Sequence, residues 1–237
     1  MTAAVADHVL LVAEMFGPTV QGEGPSAGQR AVFIRLLRCN LTCRTCDTPY
    51  TWDRTRFDLE AEGRPVPGAD LLAWALDQDV ELVVITGGEP LLQQRKLVPL
   101  VSALTAAGRR VEIETNGTIA PPPALVKVVD QFNVSPKLAR FGAGMALSRR
   151  IKPDVLRAFA AAGTAVFKFV VTDPAELDEI GALARLYGLA PVWVMPEGTD
   201  AMVVTTRLRA RADPSVQRGY HLTTRLHLVL WGDQRGR

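Results

Sequence analysis

The sequence predicts an α/β fold, in the form of an open, partial β/α barrel of about six mainly parallel strands. Short apolar runs rich in β-branched residues alternate along the chain with segments whose apolar residues have helical spacing. This alternation is typical of βαβ units, whose strands join a parallel sheet. About six strands are too few for a closed eight-stranded barrel, so we expect an open one.

Four strands are expected in the first half of the chain, at 31–37, 81–86, 110–114 and 128–134. The segment 31–37 is apolar enough to be a buried strand, and it leads directly into a cysteine-rich loop. Helices are expected at 69–79 and 91–107. We expect the second of these helices to be interrupted near Pro99 and to stop at Gly108.

The second half repeats this rhythm, with helices at 153–162 and 174–187 and strands at 165–171 and 191–195. Gly163 is suited to end the first of these helices, and Pro174 is suited to open the second. A last strand is expected at 224–230. In parallel sheets, ligand sites collect at the carboxyl ends of the strands, so motifs at those ends are candidates for an active site.

Composition excludes several classes of function. Apolar residues make up 48% of the chain, which allows a sizeable core, and a net charge of +2 offers no electrostatic argument for nucleic-acid binding. The densest basic segment, 207–218, is predicted to be a solvated loop or helix face. No apolar run is long enough to cross a bilayer, and residues 1–12 lack the features of a signal peptide. We therefore expect a cytoplasmic protein without a membrane partner.

The three cysteines of the chain, Cys39, Cys43 and Cys46, lie within eight positions. An odd number in so tight a cluster argues against a disulfide framework. Thiolates at this spacing suit three corners of an iron–sulfur cluster, with the fourth iron left without a protein ligand. One alternative is a structural zinc site, which needs one of three distant histidines as its fourth ligand. The other is three free thiols, which the polar loop disfavours.

Polar motifs also follow the ends of three predicted strands. The glycines of Thr86-Gly87-Gly88-Glu89 allow a backbone to approach a ligand, and the Glu89 carboxylate suits a ligand ammonium. Thr115 and Asn116 end the next strand, and Ser135 and Lys137 end the one after it. For the first two motifs a plain turn is the alternative.

The cysteine spacing together with the Gly-Gly-Glu motif resembles the radical S-adenosylmethionine (SAM) superfamily. The resemblance implies a 4Fe-4S cluster whose free iron binds the amino and carboxylate groups of SAM, and a radical that abstracts hydrogen from substrate. It assigns SAM's amino group to the Gly-Gly-Glu motif, and the ribose or carboxylate to the polar residues of the next strand ends. In one position the chain departs from the superfamily: Thr45 stands where an aromatic residue is usual, and Tyr50 or Trp52 can replace that surface.

A second set of motifs is similar to the 7-carboxy-7-deazaguanine synthase family, over residue 14 to the end of the chain. The set comprises Gln21-Gly22-Glu23-Gly24, Arg35 on the first predicted strand, Thr48 after the last cysteine, and the ending from His227 to Gly232. The resemblance implies one radical SAM domain, 1–237, with its core at about 14–232. It also implies a carbon–nitrogen lyase that converts 6-carboxy-5,6,7,8-tetrahydropterin to 7-carboxy-7-deazaguanine, with catalytic SAM and Mg²⁺, for queuosine and other 7-deazapurines.

The resemblance also implies roles for particular residues. Glu23 and Gln21 accept the paired N–H donors of the pterin edge, and Arg35 binds the substrate carboxylate. His227 is a further substrate contact, which a satisfied histidine on a terminal strand would equally explain. Thr48 ligates Mg²⁺ through its hydroxyl, unless it merely caps a turn. Thr86 is assigned to the substrate as well. No protein residue is expected to act as nucleophile, since the radical comes from the cofactor.

Two other functions compete with this interpretation. Another radical SAM enzyme, such as a glycyl-radical-activating enzyme, would share the cluster motif but has no need of Gln21 and Glu23. A zinc-stabilised binding protein would have no catalysis. The expected partners are a small pterin, an electron donor of flavodoxin or ferredoxin type, and a second copy of the chain in a homodimer. The segment 195–198 ends a predicted strand and has no assigned role.

Overall fold

The computed structural model describes Val5 and residues 8–237. Its strands are β1 Val9–Val20, β2 Arg30–Leu36, β3 Arg64–Pro67, β4 Leu82–Gly87, β5 Arg110–Thr115, β6 Gln131–Val134, β7 Ala165–Val171, β8 Val192–Pro196 and β9 His221–Leu222. They form one sheet in the order β3-β1-β2-β4-β5-β6-β7-β8-β9. β1 is antiparallel to β2 and β3, and the other neighbours are parallel. Among the described residues the edge strands β3 and β9 do not pair, so the barrel is open.

The helices are α1 Gly68–Asp77, α2 Gln94–Ala106, α3 Pro123–Val126, α4 Leu147–Arg150, α5 Pro153–Ala162, α6 Glu176–Tyr187, α7 Ala201–Gln217 and α8 Leu226–Trp231. Local chemistry explains their ends. Gly163 ends α5 and Gly188 ends α6, both in the left-handed conformation that glycine adopts without strain. Asp200 caps α7 by accepting a hydrogen bond of 2.9 Å from the Val203 amide. Within the described residues, no helix is long and apolar enough to cross a membrane.

The six parallel strands predicted from 31–37 to 191–195 are confirmed, but the last predicted strand is wrong. Residues 226–231 form α8, and the strand that pairs with β8 is β9 instead. A short apolar run such as LHLVLW fits a buried helix as well as a strand. His227 therefore projects from a helix rather than from a sheet.

Besides β9, two strands were not expected from the sequence, β1 and β3. Gly17 and Pro18 break the pattern of β1, and its pairing with β2 shifts in register between Phe16 and Thr19. β3 is only four residues long and contains two prolines, which are tolerated because it is an edge strand.

Two further expectations need correction. α2 is continuous across Pro99, which removes one backbone hydrogen bond, while Leu97, Leu100 and Val101 hold the helix in the apolar core. The basic segment 207–218 lies mostly on α7, but it is not uniformly solvated. Arg211 is buried there and donates hydrogen bonds to the carbonyls of Arg207 and Thr172.

The two faces of the sheet differ in chemistry. Side chains alternate along each strand, so Phe167 and Phe169 of β7 pack into the main apolar core, whereas Lys168 between them points to the other face. On that inner face, Glu114 of β5 and Asn133 of β6 also line a cavity. The inner face therefore carries the polar groups of the parallel strands, while the outer face is covered by helices.

Candidate active site

The cavity on the inner face contains fifteen of the sixteen residues that the sequence assigned to a site. They are Gln21, Glu23, Arg35, Cys39, Cys43, Cys46, Thr48, Thr86, Gly87, Gly88, Thr115, Asn116, Ser135, Lys137 and His227. These residues come from the carboxyl ends of β2, β4 and β5, from the loops that follow β1, β2, β4, β5 and β6, and from the start of α8. The sixteenth residue, Glu89, does not line the cavity.

Close backbone packing positions the cysteine loop. The loop begins with Arg38, which has a left-handed φ of 79° and whose carbonyl accepts a 2.8 Å hydrogen bond from the Glu89 amide. A Cβ atom at Gly88 would lie 2.2 Å from that carbonyl oxygen, and one at Gly87 would lie 2.1 Å from the Leu36 oxygen. The two glycines are therefore needed for contact between the end of β4 and the cysteine loop, irrespective of any ligand.

The cysteine thiols lie on one wall of the cavity. Cys43 is buried against Leu41 and Phe141, and Cys39 Sγ accepts hydrogen bonds from the Leu41 amide at 3.4 Å and from Asn116 Nδ2 at 3.9 Å. Burial raises the pKa of the Cys39 thiol to about 12 and also raises that of Cys43. These thiols need a bound cation to become thiolates.

The three sulfur donors beside the cavity are the ligand type that iron–sulfur clusters take. In the part of the chain that the structure describes, no three cysteine, histidine or acidic side chains are placed to hold one ion between them. In an iron–sulfur cluster each thiolate binds its own iron, so the sulfurs need only surround a larger space. The amide N–H groups directed at Cys39 suit the negative sulfurs of such a group.

Glu89 lies at the end of β4, next to the residues that end β5. It is fully buried, and it accepts hydrogen bonds from the Leu91 amide at 2.9 Å, the Thr115 hydroxyl at 2.8 Å and the Asn116 amide at 2.7 Å. Burial raises its pKa despite these donors. In this geometry Glu89 orients Thr115 and Asn116 from behind the cavity wall.

The residues expected to contact SAM are held by short polar contacts. Asn116 Nδ2 donates to Asn40 Oδ1 at 2.9 Å, which ties the end of β5 to the cysteine loop. Lys137 Nζ donates to Ser135 Oγ at 3.0 Å and lies 5.1 Å from the centre of the Phe141 ring. Lys137 thus presents a cation beside the thiol wall, where a ligand carboxylate would be attracted.

The Gln21-Gly22-Glu23-Gly24 loop also lines the cavity. Glu23 is paired with two cations: Lys168 Nζ contacts one carboxylate oxygen, and Arg225 Nε lies 3.1 Å from the other. Burial alone would raise the pKa of Glu23, but the two cations outweigh it and hold the pKa far below its usual range. Glu23 is therefore ionised.

The loop itself is anchored by the C-terminal segment. Gly24 N donates to Thr223 Oγ1 at 2.8 Å, and Leu226 N donates to the Gly22 carbonyl at 2.9 Å. His227 packs on the loop so closely that a Cβ atom at Gly22 would lie 2.1 Å from its Nδ1 atom. Burial lowers the pKa of His227.

Arg35 lies on the floor of the cavity and is already paired. Its Nε donates to Glu14 Oε2 at 2.8 Å, and its guanidinium stacks on Phe16 at 5.5 Å from the ring centre. Glu14 also accepts from Tyr50 and Arg235. One nitrogen of Arg35 is thereby fixed, and its side chain still lines the cavity.

Two predicted hydroxyls differ in their surroundings. Thr48 Oγ1 lies 3.6 Å from Cys46 Sγ, next to the thiol wall. Thr86 Oγ1 donates to Glu114 Oε2 at 2.7 Å, while Gln21 Nε2 donates to Glu114 Oε1 at 3.3 Å. Glu114 thus joins Thr86 to the Gln21 loop.

Sequence reasoning did not identify Lys168 and Arg225, two charged groups that line the cavity. A signal existed for Lys168, which is the one charged residue in the otherwise apolar strand β7. Arg225 precedes α8 in an irregular segment without a motif, yet it contacts Glu23, Asp47 and the Gly198 carbonyl.

The aromatic surface and the segment 195–198 can also be placed. Thr45 and Trp52 line the cavity, whereas Tyr50 does not and instead donates to Glu14. Of the two aromatic residues considered as substitutes near Thr45, Trp52 is thus the one in reach of a ligand. Met195 and Glu197 also line the cavity, so this segment belongs to its wall.

Comparison with known proteins identifies the family to which this chain belongs. A family model described as the radical SAM superfamily matches residues 34–137. A 7-carboxy-7-deazaguanine synthase of Pyrobaculum aerophilum is 37% identical over 230 residues, which cover 95% of this chain and 96% of the relative. The corresponding enzyme of Hyperthermus butylicus is 35% identical, covering 94% and 93%. The crystal structure of QueE from Escherichia coli matches with a TM-score of 0.69 and 26% identity, covering 95% and 98%. The chain belongs to the 7-carboxy-7-deazaguanine synthase family of the radical SAM superfamily.

Proposed function

We propose that this chain converts 6-carboxy-5,6,7,8-tetrahydropterin to 7-carboxy-7-deazaguanine, by radical ring contraction with loss of ammonia. The observation that carries the proposal is the apposition of two loops in one cavity. The loop with Gln21 and Glu23 and the loop with the three cysteines line the same cavity, and Arg225 contacts both Glu23 and Asp47. A glycyl-radical-activating enzyme has no use for the first loop, and a zinc-stabilised binding protein has no use for their shared cavity.

The cluster and SAM, when bound, supply hydrogen-atom abstraction from the substrate. Cys39, Cys43 and Cys46 would hold the cluster. The Lys137 ammonium and the Ser135 hydroxyl, which lie together beside the thiols, suit the carboxylate of SAM. Asn116 is fixed by Asn40 and by Glu89, so its side chain is positioned before the cofactor arrives.

The substrate would lie between Glu23 and Arg35. Glu23 accepts the paired N–H donors of the pterin edge, and Arg35 attracts the substrate carboxylate with its remaining donors. His227 packs against Gly22 and would contact the ring from the side of α8. These residues position the substrate and exclude water, and none of them needs to act as a nucleophile.

Mg²⁺ would bind near Thr48. A single hydroxyl is a weak ligand, but Mg²⁺ commonly keeps several waters and takes further oxygens from the substrate. The Thr48 hydroxyl lies 3.6 Å from Cys46 Sγ, so it would hold an ion beside the thiols, in the cavity that would take the substrate carboxylate. It would stabilise negative charge on that carboxylate during the rearrangement.

The setting of the enzyme is also part of the proposal. The cluster requires a low-potential reductant, for which a flavodoxin or ferredoxin is suited. We expect the chain to work in the cytoplasm as one domain, 1–237, and to form a homodimer. Sedimentation of the purified chain tests the homodimer, and limited proteolysis tests the single domain.

Turnover of the chemically defined substrate tests the function. Purified chain, with its cluster reconstituted without oxygen, is reduced and given SAM, Mg²⁺ and the carboxytetrahydropterin, and the products are identified by mass spectrometry. The expected product is 7-carboxy-7-deazaguanine, with about four irons per chain. Glu23→Gln is the matched control, because it should keep the iron and lose most of the product. An iron-loaded enzyme that cleaves SAM without forming the deazaguanine would contradict the proposal.

A further inference from the structure

Lys168 occupies an unusual place for a lysine. It lies in the middle of β7 with 5% of its surface exposed, between Phe167 and Phe169 of the main core. Its ammonium contacts Glu23 Oε2 and lies 3.8 Å from Glu114 Oε1. A buried ammonium is costly unless it is paired, so its place in this strand depends on those two carboxylates.

The contacts of Glu23 are shared evenly between its two oxygens. Lys168 binds one oxygen, and Arg225 Nε donates to the other at 3.1 Å. An ionised carboxylate offers about four acceptor positions, two on each oxygen. About one acceptor position therefore remains on each oxygen, and the Glu23 side chain lines the cavity.

We propose that Lys168 determines substrate specificity by fixing Glu23 as an ionised group that only accepts hydrogen bonds. A ligand edge with two adjacent N–H donors, such as the amino edge of a pterin, satisfies both remaining positions. A ligand with a carbonyl in place of the amino group brings an acceptor against an acceptor. The proposal rests on the proposed function, since it names the determinant of substrate choice at the same site.

The charges around Glu23 explain why Lys168 is needed as well as Arg225. Arg225 also contacts Asp47, so part of its charge is already balanced. Glu114 on β5 and His227 on α8 face the same region. The negative charge of the Glu114 carboxylate disfavours a second negative charge on Glu23. Without Lys168, burial would favour the protonated form of Glu23, which can donate a hydrogen bond to a ligand carbonyl. Lys168 is therefore a positioning residue that acts through Glu23.

The test compares two stable ligands that differ only at this edge. Binding of 6-carboxypterin and of 6-carboxylumazine, which has an oxo group in place of the amino group, is measured on the SAM-loaded holoenzyme by ligand fluorescence. The natural chain should prefer the amino ligand by at least about 100-fold, because a mismatch leaves buried polar groups unpaired. Lys168→Met should reduce this preference at least tenfold, whereas Lys168→Arg should largely keep it. Lys96→Met, an exposed lysine on α2, is the matched control and should leave the preference unchanged.

A second pair of variants tests whether Lys168 acts through Glu23. Glu23→Gln should lose or reverse the preference, because an amide offers one donor and one acceptor. Adding Lys168→Met to Glu23→Gln should change the preference no further. The double variant also removes the buried ion pair as a unit, so it should fold even where Lys168→Met alone does not.

The outcomes separate this inference from the proposed function. A natural chain that forms the deazaguanine, with a Lys168→Met variant that keeps the full preference, would overturn the inference alone. An additional effect of Lys168→Met in the Glu23→Gln background would overturn it too. A natural chain that forms no deazaguanine and binds neither ligand would overturn both.

Discussion

Gly88→Ala is the substitution whose effect the structure predicts most directly. The added Cβ atom would lie 2.2 Å from the Arg38 carbonyl oxygen and 2.9 Å from Cys39 Cβ. Real Cβ contacts are essentially never below 3.0 Å, so this oxygen must move by at least about 0.8 Å. It is a backbone atom at the start of the cysteine loop, and therefore the loop must move with it.

The cost of this displacement has two parts. Overpacking against backbone typically costs about 1–3 kcal/mol. The same carbonyl accepts the hydrogen bond from the Glu89 amide, whose loss adds about 1 kcal/mol. We therefore expect Gly88→Ala to lower the free energy of unfolding by about 2–4 kcal/mol and to displace Cys39 from its place in the cavity wall.

Two measurements on the same preparations check this expectation. Urea denaturation gives the free energy of unfolding, and iron analysis with the visible spectrum gives the cluster content. Gly108→Ala is the control, because Gly108 has a φ of +81° but no atom within 4 Å of an added Cβ. It should cost about 1–2 kcal/mol from backbone strain and keep the iron. A Gly88→Ala variant with full iron content and unchanged stability would refute the reasoning.

Three further predictions concern the cavity. Cys43→Ala should abolish SAM cleavage and lower the iron content, and retained cleavage would show that the cluster is held elsewhere. Arg225→Met should destabilise the fold by about 2 kcal/mol, because it leaves Asp47 without its ion-pair partner and Glu23 with Lys168 as its cation, and urea denaturation measures this. The pKa of Glu23 is lowered in the folded state, so its stabilising effect is complete above its unfolded pKa of about 4.5 and is lost as the pH falls below that value. Unfolding titrations from pH 6 to pH 3 should therefore show a shallower acid loss in Glu23→Gln than in the natural chain, and equal slopes would contradict the pairing.

The strand–helix pattern was readable from the sequence because its parallel strands are continuous apolar runs. β7, at 165–171, and α5, at 153–162, have the predicted bounds, since nothing in either segment interrupts the pattern. β1 was missed because Gly17 and Pro18 fall inside it. β1 belongs to the sheet through its pairing with β2 and β3, and no local sequence pattern encodes such tertiary pairing.

The site was predictable where its residues form local motifs. The cysteines form one local motif and Gly87-Gly88-Glu89 forms another, and the two motifs together carry the resemblance to the superfamily. Lys168 and Arg225 contact Glu23 across separations of 145 and 202 residues, and such pairs depend on the whole topology. Glu89 shows a further limit, because its motif is consistent with ligand binding while its side chain is enclosed by Thr115 and Asn116.

The charge balance of the cavity bears on the role of the metal. Arg35 is paired with Glu14, and both Lys168 and Arg225 are paired with Glu23. A substrate carboxylate that enters this cavity therefore meets cations that are already largely neutralised. Lys137 beside the thiols is the group suited to the carboxylate of SAM. Arg237 also lines the cavity, and a divalent ion at Thr48, as proposed above, would add further positive charge beside Arg35 for the substrate carboxylate.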